Sequence, residues 1–506
     1  MNKKVVSAIL LLFFFACKGT PVIQKPDSIR MSVPYELDVL DPHAETRLSS
    51  FALLSNFYEA LVTTDAGMRI QPCLADRWEN PDVYTWIFHL RPLVRFHSGK
   101  RLTAADVVYS YRRLLETPGL EITTYLSDVS EVHAVDSQTL SVRTKSPFPI
   151  FLNKLSNVAI VPEGSAAAFL VDHVDGTGPY RLGEWKKAHY IRLTRNETYW
   201  KEKPPLKSAT YFLGRTPEQS VKDLIAHTSE FAQYDSKEFE RSIRRLGNFQ
   251  ILHQDNYFLK YLSYDVSRDV TPYCNLHPNP FKNPLVRLAI HKGLDRKKLV
   301  ADLPTYAVTV NQPVPPFVFG FNPDIPFPDY DPAAARSLLE RAGLPQGFEV
   351  TMHVRQILQE TGKLIREQLQ KIGIRVTLKV LPDGDFFKVL DKKEFTFFLS
   401  RVGATVGDAS DILEPQIHTA DPLHHYGVRN YIGYSNPEVD RAIQESGALL
   451  KVEDRRAVLQ HIMTILMSDL PWIPLYTDQD VYAISNAFSW QPRHDSYVLA
   501  YEVRPR

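Results

Sequence analysis

Asp408 and Asp411 are two carboxylates close in sequence, the raw material of a general acid–base pair. Such pairs are common, however. No GxSxG elbow, HExxH helix or Gly-rich Lys-Ser/Thr loop accompanies this one in the 506 residues. An exported hydrolase is therefore the remote alternative, and the sequence reads as a binder rather than an enzyme. His418, His424 and His425 lie in a loop-like stretch ending near Asn430. Histidine is a common metal ligand, but this spacing matches no compact site, so surface histidines are expected, with no metal and no cofactor. Cys73 and Cys274 form no CxxC or Cys/His pattern of zinc spacing. Gly176-Thr177-Gly178-Pro179-Tyr180 taken alone is easily mistaken for a phosphate loop.

The N-terminus says where these groups work. Lys3 and Lys4 precede an apolar run, Val5 to Ala16, broken only by Ser7. At about a dozen residues it is too short to span a bilayer, which takes roughly 20. A basic start and a short apolar core describe an export signal. The run ends Phe14-Phe15-Ala16-Cys17, which resembles a bacterial lipobox with Phe15 where a smaller side chain is usual. That resemblance implies lipid attachment at Cys17, with an ordinary cleaved signal as the alternative. Residues 18–28 then form a polar tether. After export Cys73 and Cys274 are an even pair in an oxidising compartment. A bridge stays open, and two isolated buried thiols are the favoured reading.

The elements that must position these groups read as mixed α/β. The chain has 59 basic and 58 acidic residues and a net charge of +1, which gives no reason to expect nucleic acid as a partner. With 44% hydrophobic residues it can build large cores in about two to four domains. Thr103, with Asp106 at the third helical position, caps a helix over 104–116 whose apolar face is Val107, Val108, Tyr111, Leu114 and Leu115. Asn283-Pro284, Asp331-Pro332 and Asn436-Pro437 each set a cap before a first-turn proline. Gly343 and Gly373 stop helices. Alternating strands are expected over 85–91, 190–194 and 375–380.

A dozen blocks, taken in order, are similar to the peptide and nickel branch of the periplasmic binding proteins, bacterial solute-binding protein family 5. They include Leu40-Asp41-Pro42, Tyr58-Glu59-Ala60-Leu61, Pro72-x-Leu74-Ala75-x-x-Trp78 and the run through Phe96-His97-Ser98-Gly99 to Leu102-Thr103-Ala104-Ala105-Asp106-Val107. Gly176-Thr177-Gly178-Pro179-Tyr180, Tyr199-Trp200, Val286-Arg287-Leu288-Ala289-Ile290, Tyr434-Ser435-Asn436-Pro437 and Pro471-Trp472-Ile473-Pro474-Leu475-Tyr476 follow. The resemblance implies a two-lobed α/β fold of type II, cluster-C-like, with ligand enclosed between lobes joined by crossing strands. It assigns residues 1–17 to a signal, 18–28 to the tether, and 29–63, 176–265 and 477–506 to the first lobe. Residues 64–175 become a subdomain inserted in that lobe, and 266–476 the second lobe. Most of the blocks are expected to be scaffold.

The same resemblance implies a monomeric, extracytoplasmic receptor that delivers peptides, or solutes of that size, to the permease and ATPase of an ABC importer. Its location would be the periplasm or cell surface, held to the membrane by lipid. A nickel-chelate binder and a sensor or surface interaction protein on this fold are the alternatives. Ligand contacts are expected in Arg401-Val402-Gly403-Ala404-Thr405 and at Asp408. There peptide-binding relatives read Gly-Trp-x-Ala/Gly-Asp, and the aspartate pairs with the peptide's free amine. Here Val402 stands for the tryptophan and Thr405 for the aspartate. A threonine hydroxyl cannot neutralise an ammonium. Either the ligand has no such amine to bind or Asp408 or Asp411 substitutes. Arg355 falls near the place where some relatives bind the peptide carboxylate.

Overall fold

The structure is a computed structural model and describes residues 25–506 apart from 45, 46, 118, 119 and 235. The expected signal, most of the tether, and Cys17 lie outside the described residues.

One sheet of eleven strands runs through the molecule. At one end are Ile374–Leu381, Phe348–Arg355 and Phe397–Gly403, the first two joined by the helix Gln359–Gln370 in a parallel β-α-β unit. At the other end are Phe231–Tyr234, Ser28–Ser32, Ser208–Phe212, Tyr190–Arg195 and Tyr180–Lys186. Between these groups runs a central antiparallel pair, Phe249–Tyr264 and Trp472–Ser485, of 16 and 14 residues. Each end has its own core. Ile29, Met31, Tyr211, Phe231 and Trp490 fill one, and Leu262, Val350, Phe397 and Ile473 fill the other. Two cores that share two long strands make two lobes with a bend available between them.

The central pair is interrupted at the junction. Asp255 pairs with Gln479, and the next paired residues are Leu259 and Thr477. Asn256, Tyr257 and Phe258 therefore stand opposite Asp478 alone, a bulge that bends the strand and re-aims its side chains. Beside the first lobe lies a separate four-stranded sheet, in the order Ala75–Asp82, Thr85–Leu90, Thr139–Thr144, Val129–Ala134. The helix Ala104–Glu116 packs on it through a third core that includes Phe88, Tyr111 and Val142.

Local chemistry explains these elements. Asp106 accepts from the Thr103 N–H at 2.8 Å and from its hydroxyl at 3.0 Å, fixing the helix start. Asn283, Asp331 and Asn436 accept first-turn N–H groups of helices starting at Pro284, Pro332 and Pro437. Each such cap contributes about 1 kcal/mol. Leu115 departs from the expected apolar face and is 38% exposed, because the helix buries a narrower stripe through Val107, Tyr111 and Leu114.

Several sequence blocks meet at Glu59. Its carboxylate accepts from Thr177 Oγ1 at 2.7 Å, Tyr199 Oη at 2.7 Å and Trp200 Nε1 at 2.8 Å. Gly176 and Gly178 lie against the Phe57 carbonyl, where a Cβ on Gly176 would come within 2.0 Å of the oxygen. The Gly-Thr-Gly-Pro-Tyr segment is thus a close backbone packing joint. No helix among the described residues is long and apolar enough to cross a membrane.

Candidate functional site

Two adjoining cavities flank the bulge, of about 510 and 770 Å3, and Phe258 and Arg401 line both. The first also takes walls from Tyr35, Gln233, Asp480 and Tyr497 of the first lobe and from Tyr476 and Asp478 on the crossing strand. The second is lined by Tyr261, Arg355, Phe387, Thr405, Asp411 and Tyr431, among others. A small recess of about 40 Å3 links Thr405 and Tyr257 to Thr64, Asp495 and Tyr501. The bulge puts Tyr257 and Phe258 at the meeting point of all three, because the extra residues leave the ladder there.

The charged groups around this cleft are largely matched. Lys260 is buried and pairs with Asp478, and Arg355 donates to Asp383 through Nε at 2.9 Å. Burial pushes the Lys260 ammonium below its ordinary range, and the salt bridge opposes that shift. Asp480 accepts from Asn256 Nδ2 at 3.1 Å and from the Ser496 hydroxyl, and burial still pushes it up to about 6. Arg401 differs. Its guanidinium lies 4.8 Å from the Phe258 ring centroid, and burial, with Arg355 nearby, pushes its pKa down.

The residues expected from sequence divide by environment. Arg401, Val402, Gly403 and Thr405 line the second cavity. They follow one another along the strand Phe397–Gly403 and the turn after it. A Cβ on Gly403 would lie 3.0 Å from the Tyr257 ring, so glycine admits the bulge there. Ala404 is fully buried in a second-lobe core and is not part of that lining. Asp408 is also turned inward. It accepts a two-pronged bond from Arg455 at 2.6 and 2.8 Å and caps Ser410 N–H at 3.0 Å. Asp411 does face the cavity, and its Oδ2 accepts both the Thr405 N–H and hydroxyl. Arg355 lines the cavity with its charge already answered by Asp383 and its guanidinium 5.3 Å from the Phe387 ring centroid.

The histidines require one correction. His424 and His425 are exposed as expected, but His418 is buried. Its Nδ1 lies 2.6 Å from Thr419 O, its Nε2 is 2.9 Å from Gln444 Nε2, and its ring stacks on Tyr426. Among the described residues no group of three His, Cys, Asp or Glu side chains has metal-binding geometry. Cys73 and Cys274 are free thiols in different hydrophobic clusters. Sequence reasoning missed Tyr257, Phe258, Lys260, Asp478, Asp480 and Tyr497. A bulge leaves no periodic signal, Lys260, Asp478 and Asp480 sit on the two crossing strands, which read as core, and Tyr497 lies in a loop without a motif.

The geometry agrees with known relatives. The family model described as "Bacterial extracellular solute-binding proteins, family 5 Middle" matches residues 69–422. The glutathione-binding protein GsiB of Pectobacterium atrosepticum is 26% identical over 491 residues, covering 93% of this chain and 92% of that protein. Among solved structures, HbpA2 from Haemophilus parasuis superposes with a TM-score of 0.83 at 22% identity, covering 95% of this chain and all of that one (100%). The ABC transporter-associated periplasmic binding protein DppA from Helicobacter pylori, in complex with the peptide STSA, gives 0.74 at 22% identity, covering 95% and 98%. With two lobes, crossing strands and a cleft between them, the chain belongs to family 5 of the bacterial extracellular solute-binding proteins.

Proposed function

We propose that this protein is the extracytoplasmic receptor of an ATP-driven importer and encloses a peptide, or a solute of that size, between its lobes. The carrying observation is the pair of adjoining cavities, about 510 and 770 Å3, that share Phe258 and Arg401, the first lined from both lobes and the second from the second lobe and the crossing strand. Volumes of about 300–1,000 Å3 suit ligands of drug or short-peptide size. Relatives named for binding glutathione or crystallised with a tetrapeptide support the same size class. Contact with the solute falls to Arg401, Val402, Gly403, Thr405 and Asp411. Ala404 and Asp408 act from behind that surface as packing and cap.

The lobes close by bending at the bulge of the central strand pair, with the boundaries near residues 265 and 476 and residues 64–175 as an insertion in the first lobe. The protein works as a monomer, anchored by lipid on Cys17 to the membrane that holds its permease. Native mass spectrometry of protein purified from its own host tests the central reading. A bound solute of peptide size is expected, and small-angle scattering should show a smaller radius of gyration when that solute is restored to stripped protein. A protein that carries no solute and keeps its radius with every peptide offered would refute the reading. For the anchor, wild-type protein should partition with membranes and Cys17→Ser should not.

A further inference from the structure

Met68 and Val406 are buried, at 6% and 4% exposure, yet among the described residues neither joins a hydrophobic core of its own lobe. They meet across the cleft. Both line the small recess, and a Cβ on Gly407 would lie 3.2 Å from the Met68 Cβ. Met68 sits in the turn between the paired strands Val62–Thr64 and Ile70–Pro72 with φ of 62°. A residue with a side chain holds that left-handed conformation at some cost, where its surroundings fix it. Asn153, on the helix Phe151–Leu155, adds a second grip by donating its Nδ2–H to the Val406 carbonyl at 2.8 Å. Val62, Phe151 and Leu155 all belong to the core of the four-stranded sheet, so both grips come from that unit.

The surface they hold is a braced ridge of the second lobe. The Phe319 N–H donates to the Gly407 carbonyl at 2.9 Å, and the Ala409 N–H to the Phe319 carbonyl at 3.0 Å. Arg455, which engages Asp408, lies 5.2 Å from the Phe319 ring centroid. Two residues along, Phe317 stacks on His494 of the first lobe, with ring centroids 3.7 Å apart and planes 13° from parallel. His494 Nδ1 is 2.7 Å from the Asp255 carbonyl oxygen, where the register of the crossing strands slips. Thr405, in the same turn as Val406, lines the second cavity, whereas Met68, Asn153, Phe317 and His494 line neither of the two.

We infer that this seam is a catch for the closed form: Met68 and Asn153 grip the ridge that carries Thr405 and set how fast the solute leaves, without touching it. Contacts made only when the lobes are shut raise the population of the closed form and lower the apparent dissociation constant with it. Met68 supplies apolar burial and Asn153 a hydrogen bond. The inference rests on the closing receptor proposed above and gives the four-stranded unit the task of holding it shut.

The test compares wild type, Met68→Ala, Asn153→Ala, the double variant and Met68→Leu, each purified from the protein's own host. Native mass spectrometry follows loss of the co-purified solute after dilution, and small-angle scattering gives the radius of gyration. The double variant should release the solute about tenfold faster or more, with a larger radius and an unchanged urea midpoint. Each single alanine variant should fall between. Met68→Leu keeps the volume and should stay within about twofold of wild type. Unchanged release in the double variant overturns the inference, whatever happens to the urea midpoint, and leaves the receptor reading standing. A wild type that carries no solute and keeps its radius with Ala-Ala-Ala and every other peptide offered removes the receptor reading itself. The catch is then judged by scattering from the protein alone, and equal radii for wild type and the double variant overturn it.

Discussion

The Thr405 hydroxyl and the Thr405 N–H both donate to one oxygen of Asp411, at 2.8 and 2.7 Å. Thr405, at the position where the family resemblance leads to the expectation of an aspartate, holds an aspartate arriving from the helix Ser410–Gln416. The negative charge is displaced by one side chain and still faces the second cavity. If the solute carries a free amine, Asp411 is expected to be its partner. Asp411→Asn should weaken free-amine peptides about tenfold to a hundredfold and leave N-acetylated ones nearly unchanged. Calorimetry with matched pairs measures this. Thr405→Asp would set a second carboxylate beside Asp411. Two carboxylates would crowd one site and one would hold its proton, so no gain in free-amine preference is expected from Thr405→Asp at neutral pH.

Asp408, the other candidate acid, should behave in the opposite way. Its carboxylate is engaged by Arg455 at 2.6 and 2.8 Å inside the second lobe. Breaking a buried pair leaves the partner charge uncompensated, at a cost of about 3–5 kcal/mol. Asp408→Asn should lower the urea midpoint sharply and leave the solute affinity of the folded fraction within about twofold of wild type. A selective loss of affinity at unchanged stability would return Asp408 to the binding surface.

The capped helices were legible because each depends on neighbours in sequence. Asn283, Asp331 and Asn436 accept N–H groups two or three residues on, so the residue types carry the geometry. The second wall of the cleft was legible only through resemblance, as the run Arg401 to Thr405. The rest was hidden for physical reasons. Tyr257 and Phe258 enter the cleft because the register slips between Asp255 and Leu259, and register is a property of two strands more than 200 residues apart. The inward turn of Asp408 depends on Arg455, and the fate of Arg355 on Asp383. Both partners are remote in sequence, and neither pairing has a local signature.

The Gly-Thr-Gly-Pro-Tyr joint gives a packing prediction with an internal control. A Cβ on Gly176 would sit 2.0 Å from the Phe57 carbonyl oxygen, backbone that cannot move aside. Gly176→Ala should therefore abolish soluble expression or lower the urea midpoint severely. Gly384, in the first turn of the helix Asp383–Asp391, has nothing within 4 Å of its Cβ position. Gly384→Ala should be neutral or stabilising by about 0.5–1 kcal/mol, from helix propensity alone. Equal losses at the two sites would refute the close-approach account.

The last prediction concerns pH. The helix Ser410–Gln416 and the residues before it gather Asp408, Asp411 and Glu414, against Arg455 on Asp408 and Lys154 nearby. Burial pushes Glu414 from 4.5 up to about 7, with Asp408 and Asp411 adding to the rise and Lys154 and Arg455 opposing it. In the unfolded chain an ordinary glutamate titrates near ~4.3. Between those values the folded state binds more protons than the unfolded one, so stability falls as pH rises from about 4.5 to 7. Below that window Glu414 is protonated in both states and costs nothing. Above it the buried charge opposes folding by at most about 4 kcal/mol. Glu414→Gln removes the charge while keeping the shape. Urea unfolding at pH 8.5 should show the variant more stable than wild type, and the gap should close by pH 4.5. A gap of the same size at both pH values would show that Glu414 acts through packing and that its carboxylate is not held protonated by burial.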